Sequence, residues 1–120
     1  MKMSRRMAIE ISWSSRKLEK ACSDDRQGRK QWGADNWKLL KRRLASLLGA
    51  PTLRAMDGTP GRCHPLHADR SGEFALSLWG SYRLIFEPAN NPLPKLSDGG
   101  LDLTRVTKIV IKEVVDYHGE

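Results

Sequence analysis

The sequence predicts an α+β domain in which two helices pack on one face of a small, mainly antiparallel sheet. A strictly alternating segment, Ala8-Ile-Glu-Ile-Ser-Trp13, reads as a strand. Trp37, Leu40, Leu44, Leu47 and Leu48 step by three and four, which makes one apolar stripe on a helix. The C-terminal half holds two β-rich runs and a closing segment dense in Val and Ile. With 120 residues, 39% hydrophobic and 29% charged, the chain fits one domain, expected over residues 1–120. Its core needs neither metal nor disulfide.

Each element has a local reason. In the first strand Ile9, Ile11 and Trp13 share one face, and Glu10 and Ser12 share the other. Ser14 or Ser15 can cap a helix by accepting from a first-turn amide. A helix from about Ser15 carries Leu18 and Cys22 one turn apart, then turns very polar through Ser23–Lys30. Gly33 is its expected stop and Asp35 the expected cap of the second helix, which Gly49 and Pro51 end. The wet face of that helix carries Lys38 and Arg42, flanked by Lys41 and Arg43. Such a face is either simply solvated or a place where anions bind.

Residues 51–61 are rich in turn formers and read as a connecting loop. Glu73–Trp79 and Tyr82–Glu87 predict a hairpin closed by a two-residue Gly80-Ser81 turn. In that register Trp79 faces Tyr82, Ser77 faces Leu84 and Ala75 faces Phe86, while Leu78 with Arg83 and Leu76 with Ile85 share the opposite face. Both faces are largely apolar, so the hairpin is expected inside the sheet. Pro88–Arg105 is a Pro/Gly/Asn-rich insertion expected to be a long loop, and Val106–Val115 a buried strand. The order is β-α-α-β-β-β-β.

Charge narrows the partners. Lys and Arg number 21 against 14 Asp and Glu, a net charge of +7 that points to a polyanion. No stretch approaches the ~20 apolar residues of a membrane span. Met1–Met7 starts basic with no apolar run behind it, unlike a secretory signal. Cys22 and Cys63 alone do not make a disulfide framework, so a cytoplasmic protein without a membrane partner is expected.

All three histidines fall at strand ends, His64 and His67 before the hairpin and His118 after the last strand. Imidazole titrates near neutrality and can act as general base or acid. Cleavage of a phosphodiester by its neighbouring 2′-hydroxyl needs a base, an acid for the leaving 5′ oxygen, and positive charge at the crowded phosphate. His64, His118 and Arg83 suit those roles, with Arg62, Arg70 and Lys112 as further cations, and no metal or other cofactor is required. The competing readings are structural: Asp116 can simply neutralise Arg83, and Tyr117 can be an edge aromatic with a wet hydroxyl. Zinc on Cys63, His64 and His67 would need a bend at Pro65, because strand residues three apart point to opposite faces.

Three separated segments carry a family resemblance. They are Arg62-Cys-His-Pro-Leu-His-Ala-Asp-Arg-Ser-Gly72, Gly80-Ser-Tyr-Arg-Leu-Ile-Phe86 and the terminal Asp116-Tyr-His118. They resemble, in order, the "HxLxGDxxG", "GxxRLxF" and "DYH" segments of the HigB branch of the RelE-like toxins. The matched residues are His64, Leu66, Asp69 and Gly72, then Gly80, Arg83, Leu84 and Phe86, then Asp116, Tyr117 and His118. The resemblance implies a RelE-like fold, ribosome-dependent endonucleolytic cleavage of mRNA, and a cognate antitoxin protein as partner. It makes His64 and His118 the acid and base, with Asp116 orienting them, Tyr117 on the RNA and Arg83 on the scissile phosphate. Arg62, His67, Arg70, Lys38 and Arg42 become candidates for RNA or phosphate binding. His67 stands where these toxins commonly carry lysine, and the insertion at about 88–105 is absent from the shortest members. Other members of the fold are gyrase inhibitors of the ParE type or killer-suppression proteins, and a non-catalytic RNA-binding protein is the remaining alternative.

Overall fold

The computed structural model describes residues 8–118, so the reading of Met1–Met7 lies outside the described residues. Five strands form one sheet in the order β1-β5-β4-β3-β2: β1 Glu10–Trp13, β2 His64–Pro65, β3 Phe74–Ser77, β4 Tyr82–Pro88 and β5 Lys108–Asp116. β1 lies parallel to β5, with Glu10 opposite Lys108 and Trp13 opposite Ile111. The other pairings are antiparallel. The α+β architecture is therefore the expected one, with the helices on a single face. On that face Ile9, Leu76, Leu84, Phe86, Ile109 and Ile111 pack against Trp37, Leu40 and Leu47.

The helical segment has three helices rather than two. α1 spans Arg16–Ala21 and is capped by Ser15, whose hydroxyl accepts from the Leu18 amide at 3.1 Å. α2 spans Asp25–Trp32, because the Asp24 carboxylate accepts from the Arg26 and Gln27 amides at 2.8 and 3.2 Å and starts a new helix. The polar run hid this break. α3 spans Ala34–Gly49, and its N-cap is Gly33 at φ +85°, not Asp35, which sits in the first turn. The Asp25 carboxylate ties the two longer helices together, accepting from Trp37 Nε1 at 2.7 Å and Lys41 Nζ at 3.3 Å. These hydrogen bonds, Trp37's first, hold its carboxyl below the usual range.

The predicted stripe on α3 is only partly buried. Trp37, Leu40 and Leu47 are in the core, while Leu48 is more than half exposed. Arg43, expected on the wet flank, is buried instead. Its Nε donates to the Ser77 carbonyl at 2.9 Å and fastens α3 to β3. Residues 51–61 also contribute to the core through a short 3₁₀ turn, Leu53–Met56, whose Leu53 and Met56 are almost wholly buried.

The hairpin pairs one residue away from the expected register: Phe74 opposes Phe86, Ala75 opposes Ile85, Leu76 opposes Leu84 and Ser77 opposes Arg83. Tyr82 N does donate to the Trp79 carbonyl across Gly80-Ser81, but Leu78 N, rather than Trp79 N, donates to the Tyr82 carbonyl. The Trp79 amide instead donates to Asn36 Oδ1 at 3.0 Å, so Trp79 stands as one extra residue between β3 and the turn. A slip of one residue exchanges the faces of β3, so Leu76 and Leu78 turn to the helices and Ala75 joins Ile85 on the other side.

The insertion is an organised loop. Asn90 Oδ1 accepts from the Thr107 and Lys108 amides, each at 3.0 Å, Lys95 bridges Leu101, and Asp102 caps a 3₁₀ turn at Leu103–Arg105. Both cysteines are free, and burial pushes each thiol up to about 12, with Asp57 adding to the effect at Cys63. The thiolate is the reactive species. The native protein at pH 8 is therefore expected to react with a disulfide reagent far more slowly than the denatured protein, as a timed absorbance assay would show.

Candidate active site

The face of the sheet opposite the helices carries a second, smaller apolar cluster. Leu66, Ala75 and Ile85 form its floor, and Val115 and Tyr117 pack against them. Arg70 braces it: its guanidinium donates to Glu73 Oε1 and Glu113 Oε2, both at 2.7 Å, and lies 5.3 Å over the Tyr117 ring. These two carboxylates raise the affinity of Arg70 for its proton. Arg70 therefore orients Tyr117, with its charge already matched.

Beside this floor opens a cleft of about 380 Å³ lined by Arg62, His64, Pro65, Leu66, His67, Ala68 and Tyr117. Local conformation explains how two histidines and an arginine share it. β2 is only two residues long, His64 opposing Ala75, and the Leu66 amide donates to the Glu73 carbonyl at 2.8 Å. Arg62 and Ala68, at φ +50° and +57°, bend the chain at either end of the His64–His67 segment. Left-handed backbone costs a non-glycine residue about 1–2 kcal/mol, and such strain clusters at functional sites. His64 Nδ1 lies 2.7 Å from the Arg62 carbonyl. That oxygen can only accept, so Nδ1 carries the proton in the neutral ring, and Nε2, the other ring nitrogen, is closed to solvent.

The remaining sequence candidates are distributed around this cleft. Arg83 stands on the same face as Tyr117, opposite Val115 in register, and its Nη1 donates to the carbonyls of Gly80 and Tyr82 at 3.1 and 2.9 Å. β5 ends at Asp116, and Tyr117 and His118 follow just beyond it. His118 Nε2 lies 3.1 Å from Asp116 Oδ1, which also accepts a short hydrogen bond from the Ser81 hydroxyl. The His118 ring is 76% exposed. Neither Arg83 nor His118 lines the cleft. Lys38 and Arg42 lie on α3 at a separate shallow hollow, with Trp79 of the hairpin loop as their neighbour.

Sequence reasoning did not foresee the contribution of the insertion. A second cleft of about 470 Å³ shares Pro65, Leu66 and His67 with the first, and its far wall includes Leu93, Lys95 and Leu101. No spacing in the Pro/Gly/Asn-rich segment signals that approach. Among the described residues no group of three His, Cys, Asp or Glu side chains could hold a metal ion, and burial keeps the Cys63 thiol protonated. No helix among them is long and apolar enough to cross a membrane.

No family model and no curated protein matches the chain. Among solved structures, a YoeB–YefM complex from Staphylococcus aureus overlaps with a TM-score of 0.49 and 15% identity, over 92% of this chain and 97% of that one. An overlap this loose assigns neither family nor activity.

Proposed function

We propose that the chain is a RelE-like toxin of the HigB type, an endoribonuclease that cuts mRNA on the ribosome and is restrained by a cognate antitoxin. The observation that carries the reading is the cleft that gathers Arg62, His64, His67 and Tyr117. Two imidazoles, a guanidinium and an aromatic ring on an open sheet face are the parts needed to cleave a phosphodiester without a metal. The HigB-like segments supply most of them, and the net charge of +7 favours a polyanionic substrate.

In this mechanism docking of the RNA uncovers His64 Nε2, which is closed to solvent in the chain alone; Nε2 then takes the proton of the 2′-hydroxyl, and the 2′ oxygen attacks phosphorus. The bond from phosphorus to the 5′ oxygen breaks, leaving a 2′,3′-cyclic phosphate and a 5′-hydroxyl. An acid returns a proton to that oxygen; His67 in the cleft and His118 beside Asp116 are the imidazoles that can do so. Arg62 and Arg83 supply charge to the phosphate, whose negative charge is most crowded in the transition state. Tyr117, held by Arg70, offers a ring for a base to stack on.

Induced expression is expected to arrest growth and to produce mRNA ends within translated codons, as mapping of 5′ ends would reveal. Growth without arrest and with intact mRNA would overturn the reading, and gyrase-dependent DNA damage with intact mRNA would replace it with the ParE-like alternative. Separate His67→Ala and His118→Ala variants identify the acid. Whichever leaves toxicity and cutting unchanged has no part in the chemistry.

A further inference from the structure

The geometry points to a second nucleic-acid contact on the far side of the hairpin: we propose that Trp79, Lys38 and Arg42 form a stacking platform for single-stranded RNA. The chain has four tryptophans. Trp32 and Trp37 are buried and Trp13 packs against the core, whereas Trp79 is 59% exposed. Its position is built in. The Asn36 side chain accepts from the Trp79 amide, which leaves Trp79 as the extra residue beyond β3 and fixes the loop to α3. Lys38 and Arg42, one turn apart on α3, line the same hollow of about 200 Å³ as the indole, together with Leu39 and Asp35. An exposed ring and two cations thus belong to one rigid unit.

An aromatic face beside positive charge matches an unpaired base and its phosphate. A duplex hides its base faces, so the platform selects single strands. Asp35 repels a phosphate placed over it and accepts from an exocyclic amino group, which sets the base rather than the backbone toward that end of the hollow. Lys38 and Arg42 then take the backbone at the other. The platform rests on the RNA-cleaving reading only for its choice of RNA over DNA. It holds flanking nucleotides and does no chemistry.

The test is binding of an uncleavable 2′-O-methyl RNA of about twelve nucleotides to the full chain, followed by fluorescence anisotropy. Trp79→Ala is expected to weaken binding roughly ten-fold or more, and Trp79→Phe much less, because a smaller ring still stacks. Lys38→Gln with Arg42→Gln is expected to lower the salt slope by about 1.4, roughly 0.7 for each single-strand phosphate that is no longer neutralised. No binding by the wild type, equal binding by Trp79→Ala, or equal affinity for a duplex of the same sequence would overturn the platform. Equal loss of affinity for a polyglutamate peptide in Trp79→Ala would also overturn it, in favour of an acidic protein partner. The two proposals fail separately. Wild type that binds the oligonucleotide but cuts no RNA keeps the platform and removes the nuclease. Cutting that Trp79→Ala leaves unchanged in both KM and kcat, with unchanged binding, does the reverse.

Discussion

Replacing His64 with alanine is expected to lower the rate of RNA cleavage by about 10²–10⁴-fold, the usual contribution of a positioned general base. The loss should appear in kcat, with KM little changed, because the imidazole acts on the 2′ proton and not on ground-state binding. Three features single out His64. It lies in the cleft with Arg62, His67 and Tyr117. Its Nδ1 donates to the Arg62 carbonyl, which fixes the orientation of the ring. Its backbone is held by β3 on one side and a left-handed Arg62 two residues before it on the other. A variant with wild-type kcat would remove His64 from the mechanism, and a urea midpoint equal to wild type would show that the fold had been kept.

Gly28→Ala is expected to destabilise the protein by about 2 kcal/mol or more, against what helix propensity alone suggests. Alanine is favoured over glycine inside a helix by about 1 kcal/mol. At this position a Cβ would meet the Trp37 ring at 2.2–2.5 Å, well inside any real contact. Trp37 has nowhere to withdraw: it is 3% exposed, its Nε1 donates to Asp25, and its ring stacks on Trp32 at 6.4 Å between centroids. Overpacking of this kind costs typically 1–3 kcal/mol and at times more, so sterics outweigh propensity. Urea unfolding followed by circular dichroism should show a lower midpoint with an unchanged slope. A raised midpoint would mean that α2 and α3 separate easily, and would refute their tight packing.

The same two helices show what was legible in the sequence. Period and composition were sufficient to read β1, α3, β4 and β5, because each buries a regular stripe. They did not separate α1 from α2, since both are polar around Asp24 and only the cap divides them. The hairpin register was illegible for a different reason. Its local signal, Gly80-Ser81, was read correctly, but the residue that shifts it is Asn36, 43 positions away. Side-chain chemistry in the cleft followed a similar rule. Arg62, His64, His67 and Tyr117 could be named one by one, whereas their convergence depends on the backbone turns at Arg62 and Ala68, which no residue preference announces. Arg43 looks solvated in the sequence, as any long cation on a helix does until a carbonyl such as that of Ser77 is brought to it.

The bond between Asn36 and the Trp79 amide has a consequence for the order of folding. A hairpin whose register is decided by its own turn can zip up alone, within microseconds, before the rest of the chain condenses. Here the turn on its own favours pairing Trp79 with Tyr82, and the native alignment requires α3 to be already in place with Asn36 presented. Leu76 and Leu78 would otherwise point away from the helices they must pack against. Sheet and helices are therefore committed together, and the bond that aligns the core is the one that leaves Trp79 facing outward.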